Sequence, residues 1–303
     1  MTVRLGVDLS ALPSQFEGHV EGRTLILDGD GPCYRVAATV KRMDTAVRRI
    51  QQDILTFMFL TKAQSARIHL TASGSKKAGR YNINAVKPYQ GNRTNKSKPT
   101  LLEPLRQAIT LRENWLPEFD AVIMHHELEA DDGMIIDAYT YKESGIIMSD
   151  DKDLRMTPYP YWCNSKGIIL PSDPVGYVDI AYTGAGTAKC IGQGPMFFWA
   201  QMLMGDTADN IAGLARYKGS LCGPVLTYEL LKDIRCINTA ANLVIDGYRA
   251  IGQNVLAEGW LLWLLRNPTD SFWIYLSELD LTKQNRDYVD DCATRDWFKI
   301  SNS

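Results

Sequence analysis

The chain has 303 residues, 45% of them apolar, and a formal net charge of −2, enough to bury a sizeable core as one large domain or as a core with a smaller lobe. The overall charge favours no class of partner, and six scattered cysteines (Cys33, Cys163, Cys190, Cys222, Cys236, Cys292) without a C-x-x-C pair exclude the usual zinc signatures and read as reduced thiols. Residues 1–22 lack the unbroken apolar stretch of a signal peptide and no segment is long and apolar enough to span a bilayer, so a cytoplasmic protein without a membrane partner is expected.

Charge is unevenly spread. Between Asp53 and Glu103 there is no acidic residue, yet Lys62, Arg67, Lys76, Lys77, Arg80, Lys87, Arg93, Lys96 and Lys98 all lie there. A basic segment beside acidic clusters suits a protein that holds a polyanion and cuts it with metal ions; a solvated loop is the plainer alternative.

In chain order, Thr24-Leu25-Ile26-Leu27 predicts a short strand stopped by Asp28-Gly29-Asp30-Gly31-Pro32. Asp28 and Asp30, two residues apart, share a side if strand geometry persists, although Asp-Gly is also an ordinary turn dipeptide. A helix opening at Tyr34 and Arg35 is expected to continue through Asp44 to Phe59, and Ala66 to Thr71 reads as a second strand. The stretch from Ser73 to Pro99 is polar, basic and aperiodic, a loop of a length that usually carries function or disorder. Tyr81 and Tyr89 within it can stack on unpaired bases or pin the loop to the body. Leu101 to Trp115 reads as a helix.

Ala121 to Met124 predicts a third strand and Ala130 to Tyr141 a helix whose first turn carries Glu129, Asp131 and Asp132. Helix starts favour acids, yet three together exceed what capping needs. Gly145 to Met148 is the fourth strand, followed by Ser149-Asp150-Asp151-Lys152-Asp153. Tyr159 to Asn164 and Gly167 to Leu170 suggest a hairpin. Strands alternating with helices imply an α/β fold with a mostly parallel sheet, whose ligands bind beyond the carboxyl ends of the strands. An apolar helix from Met196 to Met204 leads into Gly205-Asp206-Thr207-Ala208-Asp209-Asn210-Ile211-Ala212-Gly213, and a glycine turn at Cys222-Gly223-Pro224 enters another helix. Helices joined in that way can offer backbone N–H groups to a phosphate. Trp260, Leu261, Trp263 and Leu264 read as further helical packing.

Four acid clusters at strand ends or helix starts call for one explanation. Oxygen-rich carboxylate sites suit Mg²⁺ or Mn²⁺, and two such ions can activate water and stabilise the leaving oxygen of a phosphodiester.

The ordered set Asp28-Gly29-Asp30, Tyr89-x-x-x-Arg93, Glu129-Ala130-Asp131-Asp132, Ser149-Asp150-Asp151-Lys152-Asp153 and Gly205-Asp206-Thr207-Ala208-Asp209-Asn210-Ile211 resembles the flap endonuclease family of 5′ nucleases, and most of all the 5′→3′ exonucleases of podovirus-type phages. The likeness runs from about Leu25 to Leu231, and its motifs are specific jointly rather than singly.

The resemblance implies a PIN-like nuclease core over 23–195 after an extension of 1–22. It implies a basic arch at about 73–110, and a helical region over 196–303 with a helix-hairpin-helix at about 203–235 that grips duplex DNA with a bound K⁺. Asp28, Glu129 and Asp131, with Asp132 and Asp30 nearby, are expected to hold one divalent ion, and Asp151, Asp153 and Asp206, supported by Asp209, the second; bridging carboxylates leave that division open. Arg35, Lys76, Lys77, Arg80, Arg93, Gly213, Lys218 and Gly223 are expected to face nucleic acid, with Tyr89 stacked on the terminal base.

The implied activity is metal-dependent 5′→3′ hydrolysis of DNA at an end, nick or flap, with RNase H-like action on RNA:DNA hybrids, in phage replication within a bacterial host. The sequence departs from the family pattern at the second strand's end, where Leu70-Thr71-Ala72-Ser73 lacks the usual Asp. It departs again at Gln90, where the arch motif usually has Lys. Lys87 is the expected substitute cation and Asp30 the expected substitute acid. A third departure is the insertion Ala215-Arg216-Tyr217-Lys218-Gly219 in the hairpin. Ala72 and Gln90 keep a second reading open, a structure-specific DNA-binding protein that has lost catalysis; a third, a PIN-type ribonuclease, is disfavoured by the glycine hairpin after Asp209.

Overall fold

The computed structural model describes residues 18–92, 97–111 and 119–299, together with a two-stranded antiparallel ribbon of β1 (Val3–Arg4) and β2 (Val7–Asp8). Its centre is a six-stranded sheet made of β3 (Val20–Asp28), β4 (Ala63–Thr71), β5 (Phe119–His125), β6 (Gly145–Met148), β7 (Tyr161–Cys163) and β8 (Ile168–Leu170). The spatial order is β5-β4-β3-β6-β7-β8, with every neighbouring pair parallel except β7 with β8.

The apolar runs follow from that position, because parallel strands are covered on both faces and read as continuous hydrophobic stretches. Leu25, Leu27, Ile146 and Met148 meet one apolar cluster, while Ile26 and Ile147 meet another, the alternation a strand demands. On the first face lie α1 (Asp30–Thr39), α2 (Met43–Thr61) and α3 (Leu102–Thr110), which contribute Val36, Ile50, Ile54, Met58, Leu105 and Ile109. On the second lies α4 (Ala130–Tyr141), with Met134, Ile135 and Ala138.

The single helix expected from Tyr34 to Phe59 is two. Val40 and Arg42 are extended, and this break lets the stripe Ala46, Ile50, Ile54, Met58 turn back onto the face that Cys33 and Val36 also cover.

A second core is built around α5 (Gly194–Met204), whose residues Met196 to Leu203 are buried all round. Surrounding it are an antiparallel hairpin, β9 (Tyr177–Tyr182) with β10 (Ala188–Gln193), and the helices α6 (Pro224–Leu231), α7 (Ile237–Ala250), α8 (Val255–Leu262), α9 (Phe272–Glu278) and α10 (Lys283–Thr294). This core takes in Val178 and Cys190, and also Ile83 and Tyr89 from the basic segment. That segment is tied to the chain's last described residues as well: Asn84 N–H donates to the Trp297 carbonyl (2.8 Å) and Lys299 N–H to the Asn82 carbonyl (2.7 Å).

Register decides where the acids gather. Leu27 pairs with Met148 and Asp28 with His69, so β3 and β6 end within one residue of each other, β4 runs on to Thr71, and the segments that follow them share one edge.

Candidate metal centre and nucleic-acid interface

At that edge Asp28, Asp30, Glu129, Asp131 and Asp151 line a cavity of about 720 Å³, together with Thr71, Ser73, Ser75, Lys77, Tyr81, Gln90, Lys98 and Arg106. Asp28 is the last residue of β3. One of its oxygens accepts the Asp30 N–H (2.9 Å) and the other the Ser149 hydroxyl (2.9 Å). Ser149 Oγ in turn accepts the Asp151 N–H (2.9 Å), and Asp151 accepts the Asp153 N–H (2.9 Å). The turn after β6 is thus wired to the end of β3, and each carboxylate orients the next.

Burial is the main force acting on these acids. It raises Asp28, with the neighbouring Asp30 adding to it, and it raises Asp131 well above the carboxylate range, with Asp151, Asp28 and Glu129 adding their charges. Asp151 is raised by burial and by Asp28 and Asp206, against the N–H of Asp153 and the ammonium of Lys152. Asp153 rises to about 7, chiefly by burial. Such crowded carboxylates are the kind of group a divalent cation would stabilise, and their donors are all oxygens, the set preferred by Mg²⁺ and Mn²⁺.

Among the described residues, Asp153, Asp206 and Asp209 converge further, with ligand oxygens all within 4.8 Å of one another. Asp206 sits in a tight loop after α5, closed by paired backbone hydrogen bonds to Ile211 (2.9 and 2.7 Å). Gly205 and Gly213 pack there with φ of +70° and +65°, and a Cβ on Gly213 would meet the Gly205 nitrogen at 2.2 Å, so only glycine fits this approach. Asp151 links the two groups, since its charge acts on Asp28 and on Asp206.

Several expected roles do not survive the packing. Asp132, assigned to the metal set, is fully buried with both oxygens held by Arg80 (2.7 and 2.8 Å), and it also accepts the Glu129 N–H (3.1 Å) as half of a capping box at the start of α4. Against its burial, Arg80 keeps this carboxyl below its ordinary value. Arg80, expected to face nucleic acid, is 2% exposed and spends its guanidinium on Asp132, Glu129 (3.2 Å) and the Trp263 carbonyl (2.7 Å).

Tyr89, expected to stack on a base, is buried. Its hydroxyl donates to Glu129 (2.8 Å) and reaches Asp209 (3.4 Å), so it is a strut between the two acid groups. The aromatic face left at the cavity is Tyr81, which is half exposed.

Lys87 is exposed and does not line the cavity; its charge acts on Glu258. Lys77 and Lys98 are the ammoniums of the cavity lining, and Lys77 lies 2.8 Å from Glu129 Oε1. Gly213 does not offer its N–H to a phosphate, because it donates to the buried Glu258 (3.0 Å). Arg93 lies outside the described residues.

Other expected residues are placed as follows. Asp30 leans toward β4, accepting the Thr71 N–H (3.1 Å), and is paired with Arg106 (2.7 Å). Burial raises Asp30 while Arg106 opposes it. Arg35 is exposed and pairs with the exposed Asp150 (3.1 Å), and exposed Lys76 pairs with Glu127 (3.1 Å), contacts of little energy that a phosphate can replace. Lys218 is exposed beside Tyr217, and Gly223 precedes the first turn of α6.

Sequence reasoning missed Arg106, Glu258 and the chain Arg67–Asp137–His69–His125, buried at Asp137 and His69. In that chain His69 bridges Asp137 (2.9 Å) and His125 (3.0 Å). None of these carries a local signal, since their side-chain partners are 35 or more positions distant in sequence.

No protein-family model matches the sequence, and no curated protein matches it. Among solved structures the chain is similar to a bacteriophage T5 5′-exonuclease with bound divalent zinc ions, at 14% identity over 89% of this chain and 98% of that chain, with a TM-score of 0.51. It is also similar to a bacteriophage T5 flap endonuclease in a pseudo-enzyme–product complex with DNA and metal ions, at 15% identity over 89% and 98% of the two chains, with a TM-score of 0.49. The sheet order, the flanking helices and the first of these likenesses lead to one conclusion: the chain has the PIN-like fold of the phage-type 5′ nucleases.

Proposed function

We propose that this protein is a divalent-metal-dependent 5′ nuclease that hydrolyses DNA phosphodiester bonds in the 5′→3′ direction, with flap or RNase H-like cleavage within reach of the same site. The observation that carries the reading is the convergence of Asp28, Asp131 and Asp151 around the cavity beside Asp153, Asp206 and Asp209, at the carboxyl edge of a parallel sheet. The T5 5′-exonuclease of like fold is itself a structure with bound divalent ions.

Asp28, Asp131 and Asp151, with Glu129, are the residues to hold one Mg²⁺ or Mn²⁺, and Asp153, Asp206 and Asp209 the residues to hold a second. When bound, such ions supply a water of lowered pKa and positive charge for the leaving oxygen. Ser149 orients Asp28 and Asp151 through its hydroxyl. Tyr89 holds Glu129 and Asp209 at a set separation, and Arg80 neutralises Asp132 so that α4 can start among so many acids.

A cavity of about 720 Å³ is in the range that houses a small ligand, room for a terminal nucleotide rather than a duplex. Tyr81 offers a ring to its base, and Lys98 and Arg35 offer charge to its phosphates. The connection between α5 and α6, with Arg216 and Lys218 exposed and Gly223 entering α6, is assigned to duplex binding as a helix-hairpin-helix with K⁺. The role inferred for this activity is DNA replication of a phage in its bacterial host; among the described residues no helix is long and apolar enough to cross a membrane.

The test is digestion of end-labelled duplex, nicked, flap and RNA:DNA substrates with and without Mg²⁺, for the wild type and Asp151→Ala. Metal-dependent shortening from the 5′ end that Asp151→Ala loses supports the reading. An Asp151→Ala protein that digests at the wild-type rate overturns it.

A further inference from the structure

We propose that Lys77 is a catalytic residue whose ammonium hydrogen-bonds the phosphate under attack, and that Gln90 is the positioning residue that holds it there; this rests on the nuclease reading above. Three independent features of the structure lead to Lys77.

The first is the backbone. Lys77, Ala78 and Gly79 are consecutive left-handed residues, with φ of +51°, +53° and +75°. Two of them carry a Cβ and are held there against their intrinsic preference, a condition that clusters at functional sites. Surrounding hydrogen bonds enforce it: Lys76 N–H donates to the His126 carbonyl (2.9 Å), Ala78 N–H to the Glu127 carbonyl (2.8 Å), and Ser75 Oγ to the Leu128 carbonyl (2.5 Å). The turn that carries Lys77 is therefore clipped, residue by residue, to the loop that presents Glu129.

The second is the side chain. Lysine is rarely withdrawn from water, yet this one is 15% exposed. Its Nζ lies 2.8 Å from Glu129 Oε1 and 2.8 Å from Gln90 Oε1, with the rings of Tyr81 and Tyr89 5.8 and 5.9 Å away. Among the described residues these two acceptors take two of its three N–H bonds, and the cavity it lines receives the third.

The third is Gln90. Its amide N–H₂ donates to Asp209 (2.9 Å), so its oxygen is turned toward Lys77 and the Tyr81 hydroxyl (3.1 Å). The backbone N–H of Gln90 also donates to the Asp209 carbonyl (2.8 Å), and its φ is +52°. A neutral side chain with one donor end and one acceptor end can join an ammonium to a carboxylate; a second ammonium there would repel the first.

In hydrolysis the water oxygen bonds to phosphorus, the bond from phosphorus to the leaving sugar oxygen breaks, the water's proton goes to solvent, and the leaving oxygen takes a proton from solvent. Lys77 keeps its protons throughout. Its N–H stabilises the negative charge that grows on a non-bridging oxygen, a fixed donor placed before the reaction begins.

The experiment uses the full chain and a 3′-labelled duplex with a single-stranded 5′ flap, under single-turnover conditions in Mg²⁺, with DNA affinity measured separately by fluorescence anisotropy in chelator. Lys77→Ala and Lys77→Met are expected to lose about 100-fold in rate with DNA affinity within about threefold, and Lys77→Arg to keep most of the rate. Gln90→Leu is expected to lose about tenfold in rate at unchanged affinity. Lys77→Ala combined with Gln90→Lys returns an ammonium to the same space and is expected to recover at least about tenfold over Lys77→Ala.

Lys77→Ala and Lys77→Met cleaving within about threefold of the wild type overturn the proposal. So does a rate loss matched by an equal loss of affinity, or a double variant with no recovery. A wild type that cleaves neither this flap duplex nor the end-labelled duplex, nicked and RNA:DNA substrates overturns the nuclease reading itself, and Lys77 with it.

Discussion

Arg80 and Asp132 form a two-pronged ion pair, with nitrogen–oxygen distances of 2.7 and 2.8 Å and each side chain at most 2% exposed. Arg80 comes from the basic segment and Asp132 from the first turn of α4, so the pair fastens the foot of the expected arch to the helix that carries the central acids. Removing one partner leaves the other charge buried and alone. Arg80→Met is therefore expected to cost about 3–5 kcal/mol, measured by denaturant unfolding, whereas Arg80→Met with Asp132→Leu recovers part of that loss. A single variant as stable as the wild type contradicts this account.

Lys152 places its Nζ 2.5 Å from Asp153 and 3.2 Å from Asp206. Those two acids, with Asp209, are the convergent group proposed for the second ion. An ammonium and a divalent cation then compete for the same oxygens. Lys152→Ala is expected to tighten Mn²⁺ binding at one of the two subsites by about tenfold, roughly 1.4 kcal/mol, read by calorimetric titration. Unchanged or weaker binding rules the competition out.

The buried acids give the metal-free protein a definite pH dependence. Asp28, Asp131, Asp151 and Asp153 all bind protons more tightly folded than unfolded, chiefly because they are buried. Their contribution to stability is therefore present at low pH and lost as pH rises through the folded values, about 7 for Asp153. In chelator the melting temperature is expected to fall across this range, and Mg²⁺ to restore it. Asp131→Asn removes one of the repelling charges, so at pH 8 it is expected to raise metal-free stability by about 1 kcal/mol while abolishing cleavage, a conflict common at functional sites. Melting curves with and without Mg²⁺ check all of these outcomes together; because His125, pushed down to about 4 by burial, works in the opposite sense at lower pH, it is a metal-free stability that rises with pH above about 6.5 that contradicts them.

How much was legible in the sequence depended on how local the cause was. The strand at Gly145–Met148 and the helix at Ala130–Tyr141 match their expected bounds, because an apolar run or a helical stripe states its own environment. The break at Val40–Arg42 was not legible, since no glycine or proline marks it; it exists because two helices must cover one sheet face. The β9–β10 hairpin was missed for a similar reason: its strands carry mixed residues, and its partners are α5 and α6 rather than the main sheet.

The sequence by itself determined the parallel α/β character and the edge at which acids collect, because strand periodicity and the segments after each strand are properties of neighbours in the chain. Which acids stay free, which cations are spent on them and which aromatic ring faces the cavity were decided by tertiary structure. Asp131 and Asp132 are adjacent, yet successive residues point about 100° apart on a helix, and one meets the crowded carboxylates while the other meets Arg80. Tyr89 lost the stacking part expected of it and Tyr81 is the ring left at the cavity, because burial is set by what packs from elsewhere. In the same way Lys77 came to the cavity and Lys87 did not: a left-handed turn aims the first inward, while the second is exposed away from the cavity lining.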